Sequence, residues 1–453
     1  MAKYLYGASI QGIQEFIFKT NKLQEIVGAS EIVKNVAKEF SKNYKPSEIL
    51  INAAGNIKAV FDTRQECEKV VLEFGKIIQQ SAYGISISQA VVEFDGEAKE
   101  FINKLETKLK IQRNKPSIPL DMSLNISKLN PSTAKPLINK DNDIATKQKL
   151  EAYKSIEKDE KYKELKQISN SKNKIAVIHI DGNGLGQLIP NLKKQFGLEL
   201  SEFSLKLDEA TQKAFNEAKK DKKVREIILG GDDVTVICDA NDAIRFTREF
   251  LENFEKETEK SFTKLTACAG IAYCNEKYPF HYAVDLAEGL CGVAKDKSNR
   301  ESSCMMFHNI QSSSFQSWEK IVKNELTITN DKETIKCDFG PYYLGDEDKA
   351  NIEDFVIVYE SLRLKDSPSS KLRSWLSELY KSDINAKNFL DRLNTMTANS
   401  SSYNIDILNK NLKNLDKELQ FDNLIIDSKT PIYDILQILS ITTSFKGDTN
   451  NDS

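Results

Sequence analysis

The stretch Arg225-Glu-Ile-Ile-Leu-Gly-Gly-Asp-Asp-Val-Thr-Val-Ile-Cys238 decides how the rest of the chain is read. Two apolar, β-branched runs flank four turn-forming residues, the pattern of strand, tight turn and strand. Gly230 and Gly231 permit positive φ and present no side chain against an approaching phosphate. Asp232 and Asp233 put two carboxylates on the turn, the hard oxygen ligands that Mg²⁺ or Mn²⁺ takes. On these four letters alone, a hairpin that happens to carry acidic turn residues explains the sequence equally well.

The flanking sequence separates the two readings. Lys174-Ile-Ala-Val-Ile-His-Ile180 is an apolar strand ending at Asp181, and Gly182-Asn-Gly-Leu-Gly186 follows it. Phe203, Leu207, Ala210 and Ala214 recur at helical spacing before the hairpin, as do Ile244, Thr247, Leu251 and Phe254 after it. The strand Leu265–Tyr273 then precedes a helix carrying Tyr282, Leu286, Leu290 and Val293. Strand, helix, two hairpin strands, helix, strand, helix is the order of a ferredoxin-like palm, an α+β fold with helices on one face of an antiparallel sheet. That topology makes the Asp181 strand a neighbour of the hairpin, so Asp181, Asp232 and Asp233 converge as metal ligands. Two divalent ions about 3.5–4 Å apart would activate an attacking hydroxyl and stabilise a departing pyrophosphate. Taken alone, Asp181 reads as a helix cap or turn residue; beside the hairpin it reads as a ligand. Gly182, Gly184 and Gly186 let the backbone approach phosphates, with the next helix N-terminus adding its dipole. Lys295 either reaches a triphosphate as a point charge or complements the end of its own helix.

The N-terminal sequence repeats this order. Gln11-Gly-Ile-Gln-Glu-Phe-Ile17 lines up with Asn183–Ile189 at an offset of 172, and Ile49–Phe61 lines up with the hairpin at an offset of 176. Nearly constant offsets with the same order of elements indicate a structural repeat. In that alignment Ser9 stands for Asp181, and Asn56 and Ile57 stand for Asp232 and Asp233, so the first copy lacks the metal ligands. The expected organisation is a degenerate palm over 1–111, a partly helical connector with little core of its own over 112–172 and a catalytic palm over 173–330. A C-terminal helical domain over 331–446 and a disordered tail over 447–453 complete it. The C-terminal helices are expected at 351–364, 370–381, 386–394, 405–419 and 432–441.

A chain of 453 residues exceeds one ordinary core. A net charge of -3 supplies no global basic field, so any nucleic-acid contact is local or borrowed from a partner. The absence of a long apolar run and of a secretion signal predicts a cytoplasmic protein that does not enter a membrane. The seven cysteines form no Cys-x-x-Cys pair and read as reduced thiols, and three dispersed histidines exclude a histidine-based metal nuclease.

At these residues the chain resembles the large polymerase-cyclase subunit of type III CRISPR effector complexes. The resemblance is carried by Asp181-Gly-Asn-Gly184, Leu229-Gly-Gly-Asp-Asp-Val234, Ala269-Gly-Ile-Ala272 with Lys277-Tyr-Pro279, Ala287-Glu288 with Ala294-Lys295, and Gln11–Ile17 with Gly28-Ala-Ser30. It implies two nucleotide cyclase-like (GGDEF-like) palms, the first degenerate, and a C-terminal helical domain. It also implies conversion of ATP to cyclic oligoadenylate by 3′–5′ phosphodiester formation, switched on by target RNA in a guide-RNA complex. The carried-over roles are two Mg²⁺ or Mn²⁺ ions on Asp181, Asp232 and Asp233, and triphosphate contacts from Gly182, Gly184, Gly230, Gly231 and Lys295. A second nucleotide would be seated by the first palm through Ser9 and Ser30. Two features common in that family, an N-terminal His-Asp nuclease domain and a cysteine zinc knuckle between the palms, find no counterpart here. A free-standing cyclase making a cyclic dinucleotide or mixed product, and a non-catalytic RNA-complex scaffold, are the alternatives. Three converging carboxylates repel one another without a cation, which counts against the scaffold.

Overall fold

The computed structural model describes residues 2–53, 55–115, 126–156, 162–312, 315–329, 334–345, 348–364, 367–398 and 405–443. The expected tail at 447–453, and residues 116–125 and 157–161 of the expected connector, lie outside the described residues. The chain divides into two compact units, one of residues 1–167, 188–208 and 279–281, the other of 168–187, 209–278 and 282–453. Among the described residues no helix is long and apolar enough to cross a membrane.

The first unit is built on strands β1 (Lys3–Gln11), β2 (Glu48–Ala53), β3 (Asn56–Phe61) and β4 (Ser86–Phe94), joined antiparallel in the order β2-β3-β1-β4. β1 is buried along nearly its whole length because both faces are covered. Leu5 belongs to a cluster with Val92, Phe94, Leu105 and Leu109, which brings in the helix Ile102–Arg113. Tyr6 points the other way, stacked on Phe40, which meets Phe74 edge-on.

The connector departs from expectation. Its helix Ile144–Ile156 is docked along the helix Leu23–Asn43, with Lys149 and Tyr153 buried. The approach is closest at Gly28, where an added Cβ would stand 1.8 Å from the Lys149 carbonyl oxygen. Charged composition concealed this because only one side of the helix is polar; Lys149 lies over the Phe16 ring and donates to the Phe16 carbonyl at 2.6 Å. Gly28→Ala should cost about 3 kcal/mol of stability, because backbone atoms cannot rotate out of the way. Chemical denaturation would measure it, and a midpoint equal to wild type would refute the docked arrangement.

The second unit holds β5 (Lys174–Gly182), β6 (Val224–Gly230), β7 (Asp233–Asp239), β8 (Ala267–Asn275) and β9 (Cys304–Asn309), with a separate hairpin of β10 (Thr327–Thr329) and β11 (Thr334–Lys336). With β12 (Tyr342–Tyr343) the main sheet runs β12-β9-β8-β5-β7-β6. Its core, β8-β5-β7-β6, has the connectivity of the first sheet. β9, which the periodicity did not reveal, pairs parallel to β8 after the crossover helix Phe280–Lys297. Helices Ile352–Ser361, Ser369–Leu379, Asp383–Ala398, Ile405–Leu415 and Ile432–Ile441 match the expected C-terminal segments to within a few residues. They share the compact unit of this sheet. Asp434 ties the last of them to β12 by accepting the Tyr342 hydroxyl at 2.9 Å, and Gln437 accepts the Asn309 amide at 2.9 Å.

Candidate active site

β5 is fully buried from Ile175 to Ile180 and reaches the open end of the sheet at Asp181. Asp181 is paired with Asp233 on β7 and with Cys268 on β8. Directly opposed residues of neighbouring strands point to the same face. His179, Asp181, Thr235, Asp233, Cys268 and Gly270 therefore share one face. The β6–β7 hairpin closes through Gly230 paired with Asp233, leaving Gly231 and Asp232 as the two turn residues. Gly231 takes φ +61, and its carbonyl accepts the Thr211 hydroxyl at 2.5 Å, which fixes the turn. Gly182 leaves room for Asp232: a Cβ there would stand 2.9 Å from the Asp232 Cβ.

The carboxylates are held in different ways. Asp181 forms an ion pair with Lys295, Oδ2 to Nζ 2.5 Å, and the same ammonium donates to the Gly182 carbonyl at 2.7 Å. Asp232 lies against Gly182, next to Asp181 in the chain; burial first, and the Asp181 charge second, push its carboxyl up to about 6. Asp233 is pushed up to about 7 by burial, then by Asp181, Asp232 and Glu288, with Lys295 opposing. Its Oδ1 is buried without a hydrogen-bond partner, 3.6 Å from His179 Nδ1. Burial pushes His179 down to about 4, so this neighbour carries no charge near neutrality.

Among the described residues no group of three or more His, Cys, Asp and Glu side chains converges closely enough to hold a metal ion as it stands. Asp232 lies against Gly182, while Asp233 Oδ1 stands 3.6 Å from His179 Nδ1. The donor set nevertheless fits a hard divalent cation: three carboxylates at one strand end, a main-chain carbonyl at Gly182, and a buried Asp233 oxygen with an unsatisfied lone pair.

Several expectations change. The glycine loop does not open into a long helix: Leu185–Leu188 is one turn, and the first long helix begins at Leu200. No extended helix dipole therefore follows Gly186. Lys295 is buried against Asp181 rather than projecting from its helix end. In the first unit Ser9 pairs with Asn56 as Asp181 pairs with Asp233, and Ala53 pairs with Asn56 as Gly230 does with Asp233. The residues standing for Asp232 and Asp233 are thus Gly55 and Asn56, one position earlier than the sequence alignment placed them. Ser9 is buried and accepts Arg113 Nη2 at 2.8 Å, and Ser30 is buried within the helix Leu23–Asn43.

Sequence reasoning gave no role of their own to three residues at the site. His179 faces Asp233, and its signal was two-residue spacing from Asp181 on a strand. Glu288 adds charge against Asp233 from the helix Phe280–Lys297. Asn183 is buried and donates to Thr266 Oγ1 at 3.0 Å and to Cys268 Sγ at 3.4 Å.

Residues 174–304 match the family described as Cas10/Cmr2, second palm domain. Over 145 residues the chain is 32% identical to the CRISPR system single-strand-specific deoxyribonuclease Cas10/Csm1 (subtype III-A) of Streptococcus thermophilus. That match takes in 30% of this chain and 19% of the relative's length. Among solved structures, the Csm1-Csm4 cassette in complex with AMPPNP aligns with a TM-score of 0.57 at 14% identity, over 97% of this chain and 69% of that one. Csm1 of T. onnurineus aligns with a TM-score of 0.56 at 13% identity over the same shares. At such identities the structural likeness speaks for the fold.

Proposed function

We propose, from the match of residues 174–304 to the Cas10/Cmr2 second palm found in large subunits of type III CRISPR systems, that this chain is a nucleotidyltransferase. It would join ATP units by 3′–5′ phosphodiester bonds, release pyrophosphate and close the product into a cyclic oligoadenylate. The observation that carries the proposal is the pairing of Asp181 with Asp233, with Asp232 on the hairpin turn lying against Gly182.

Asp181, Asp232 and Asp233 would hold Mg²⁺ or Mn²⁺, which when bound supplies Lewis-acid activation of the attacking hydroxyl and neutralises the leaving pyrophosphate. Gly230 supports a phosphate path. Its φ lies outside the left-handed region, and a Cβ there would meet nothing within 4 Å, so neither strain nor crowding in the chain calls for glycine. Glycine weakens a strand end, which makes the close approach of a ligand its best explanation. Gly184 and Gly231 are equally open, although their φ values of +73 and +61 already favour glycine. Gly182 and Lys295 complete the proposed triphosphate contacts.

The larger arrangement belongs to the proposal: a degenerate palm over 1–111, in which Ser9 and Ser30 seat a second nucleotide, a catalytic palm over 173–330 and helices over 331–446. The relative solved as a cassette with Csm4 makes a subunit of that kind the proposed partner, with guide and target RNA as activators. The test is incubation of the protein with labelled ATP and Mg²⁺ or Mn²⁺, with and without guide complex and target RNA, and mass spectrometry of the products. Cyclic adenylates are expected. Folded protein that consumes no nucleotide under any of these conditions would overturn the proposal.

A further inference from the structure

One of the three proposed metal ligands, Asp181, is paired with a lysine of the chain itself. Lys295 reaches it from the last turn of the helix Phe280–Lys297, its side chain only 10% exposed. Its ammonium lies between Asp181 Oδ2 at 2.5 Å and the Gly182 carbonyl at 2.7 Å. A carboxylate oxygen beside a main-chain carbonyl is also a hard-oxygen pair that a divalent ion takes. The ammonium and such an ion cannot share these two oxygens without strong repulsion.

The first unit shows that the fold itself delivers a cation to this point. The helix Ile102–Arg113 follows β4 as the helix Phe280–Lys297 follows β8. From its last residue, Arg113 donates to Ser9 Oγ at 2.8 Å, on the strand position equivalent to Asp181. There the partner is a hydroxyl with no charge to neutralise. In the second unit the same delivery meets a carboxylate.

We infer that Lys295 is a tethered counter-ion: it occupies the Asp181 end of the metal site when no metal is bound, and it must withdraw from Asp181 before a divalent ion can be held there. The inference rests on the nucleotidyltransferase reading and adds to it an exchange of cations. The lysine suppresses carboxylate repulsion in the resting protein and weakens binding of the free ion. Once released, the ammonium is available to a triphosphate arriving with its own metal. Loading of metal alone is thereby disfavoured relative to loading of metal with nucleotide.

The test is Mn²⁺ binding to nucleotide-free protein, followed by the loss of the free-ion paramagnetic resonance signal, in wild type, Lys295→Met, Lys295→Gln and Asp181→Asn. Lys295→Gln keeps a donor for the Gly182 carbonyl and guards against a variant that fails to fold. Both lysine variants should bind Mn²⁺ about tenfold more tightly than wild type, or better, since a unit charge has been removed from beside the site. A lysine that served only as a phosphate contact would leave this affinity unchanged and weaken ATP alone. Unchanged or weaker Mn²⁺ binding in the lysine variants, with binding still lost in Asp181→Asn, would overturn the counter-ion role and leave the metal-site reading intact. Absence of Mn²⁺ binding in all four proteins would overturn both.

Discussion

Asp233→Asn should lower nucleotidyl transfer by roughly 10³-fold or more, the rate equivalent of several kcal/mol of metal-borne stabilisation, while making the metal-free protein more stable. The two effects have one cause, since the carboxylate is kept for the cation it binds and is a burden without it. Burial of Oδ1 first, then the charges of Asp181, Asp232 and Glu288, push the Asp233 carboxyl up to about 7 in the folded chain from the ordinary 3.8, although its side chain as a whole is 45% exposed. Between those values the native state keeps a proton that the unfolded chain has released. Native stability from this group is therefore fully present below about pH 4 and is lost as pH rises towards and through 7. Asparagine imitates the protonated carboxyl at every pH. The variant should match wild type near pH 4 and exceed it increasingly up to pH 8, in melting curves recorded with EDTA. His179, pushed down to about 4, adds the opposite slope between 4 and 6.5 but is present in both proteins. Mg²⁺ should restore wild type and leave the variant unchanged. A variant with wild-type turnover, or one less stable than wild type at pH 8, would make the carboxylate a structural turn residue.

The strands that carry this chemistry were legible because apolar alternation and glycine punctuation are local signals. β5 and the β6–β7 hairpin fall where the sequence puts them, and the order of elements already implied that their ends meet. What local signals could not carry was register. Aligning Asn56-Ile57 with Asp232-Asp233 satisfied the hydrophobic pattern, yet strand pairing sets Gly55-Asn56 there, because a one-residue slip changes which side chains share a face. The correction sharpens the contrast between the two turns, since a glycine and an amide now stand for the two carboxylates. Burial of Lys149 and Tyr153 was equally hidden, as composition averages over both sides of a helix. β9 was missed because Cys304–Asn309 is buried throughout, and a short apolar run without alternation announces no period.

The position of Lys295 was the least legible feature, and it follows from a glycine on the neighbouring strand, Gly270 on β8. A Cβ on Gly270 would stand 1.9 Å from the Ala287 carbonyl oxygen, 2.5 Å from the Cys291 amide nitrogen and 2.9 Å from the Leu290 Cβ. Two of these are backbone atoms of the helix Phe280–Lys297, so relief requires the helix itself to move. Cys291 Sγ, 3.1 Å from the Cys268 carbonyl, and Lys295, against Asp181, both depend on that close approach. Gly270→Ala should accordingly cost about 3 kcal/mol or more. The folded fraction should also bind Mn²⁺ as the Lys295 variants do, because the ammonium no longer reaches Asp181. Gly289→Ala and Gly292→Ala on the same helix are the controls. A Cβ at either meets nothing within 4 Å, so each should gain up to about 1 kcal/mol from helix propensity and leave Mn²⁺ binding unaltered. If Gly270→Ala were as stable as these controls, the helix would not be seated as described. If it were unstable but kept wild-type Mn²⁺ affinity, Lys295 would reach Asp181 by its own flexibility, without help from the helix's position.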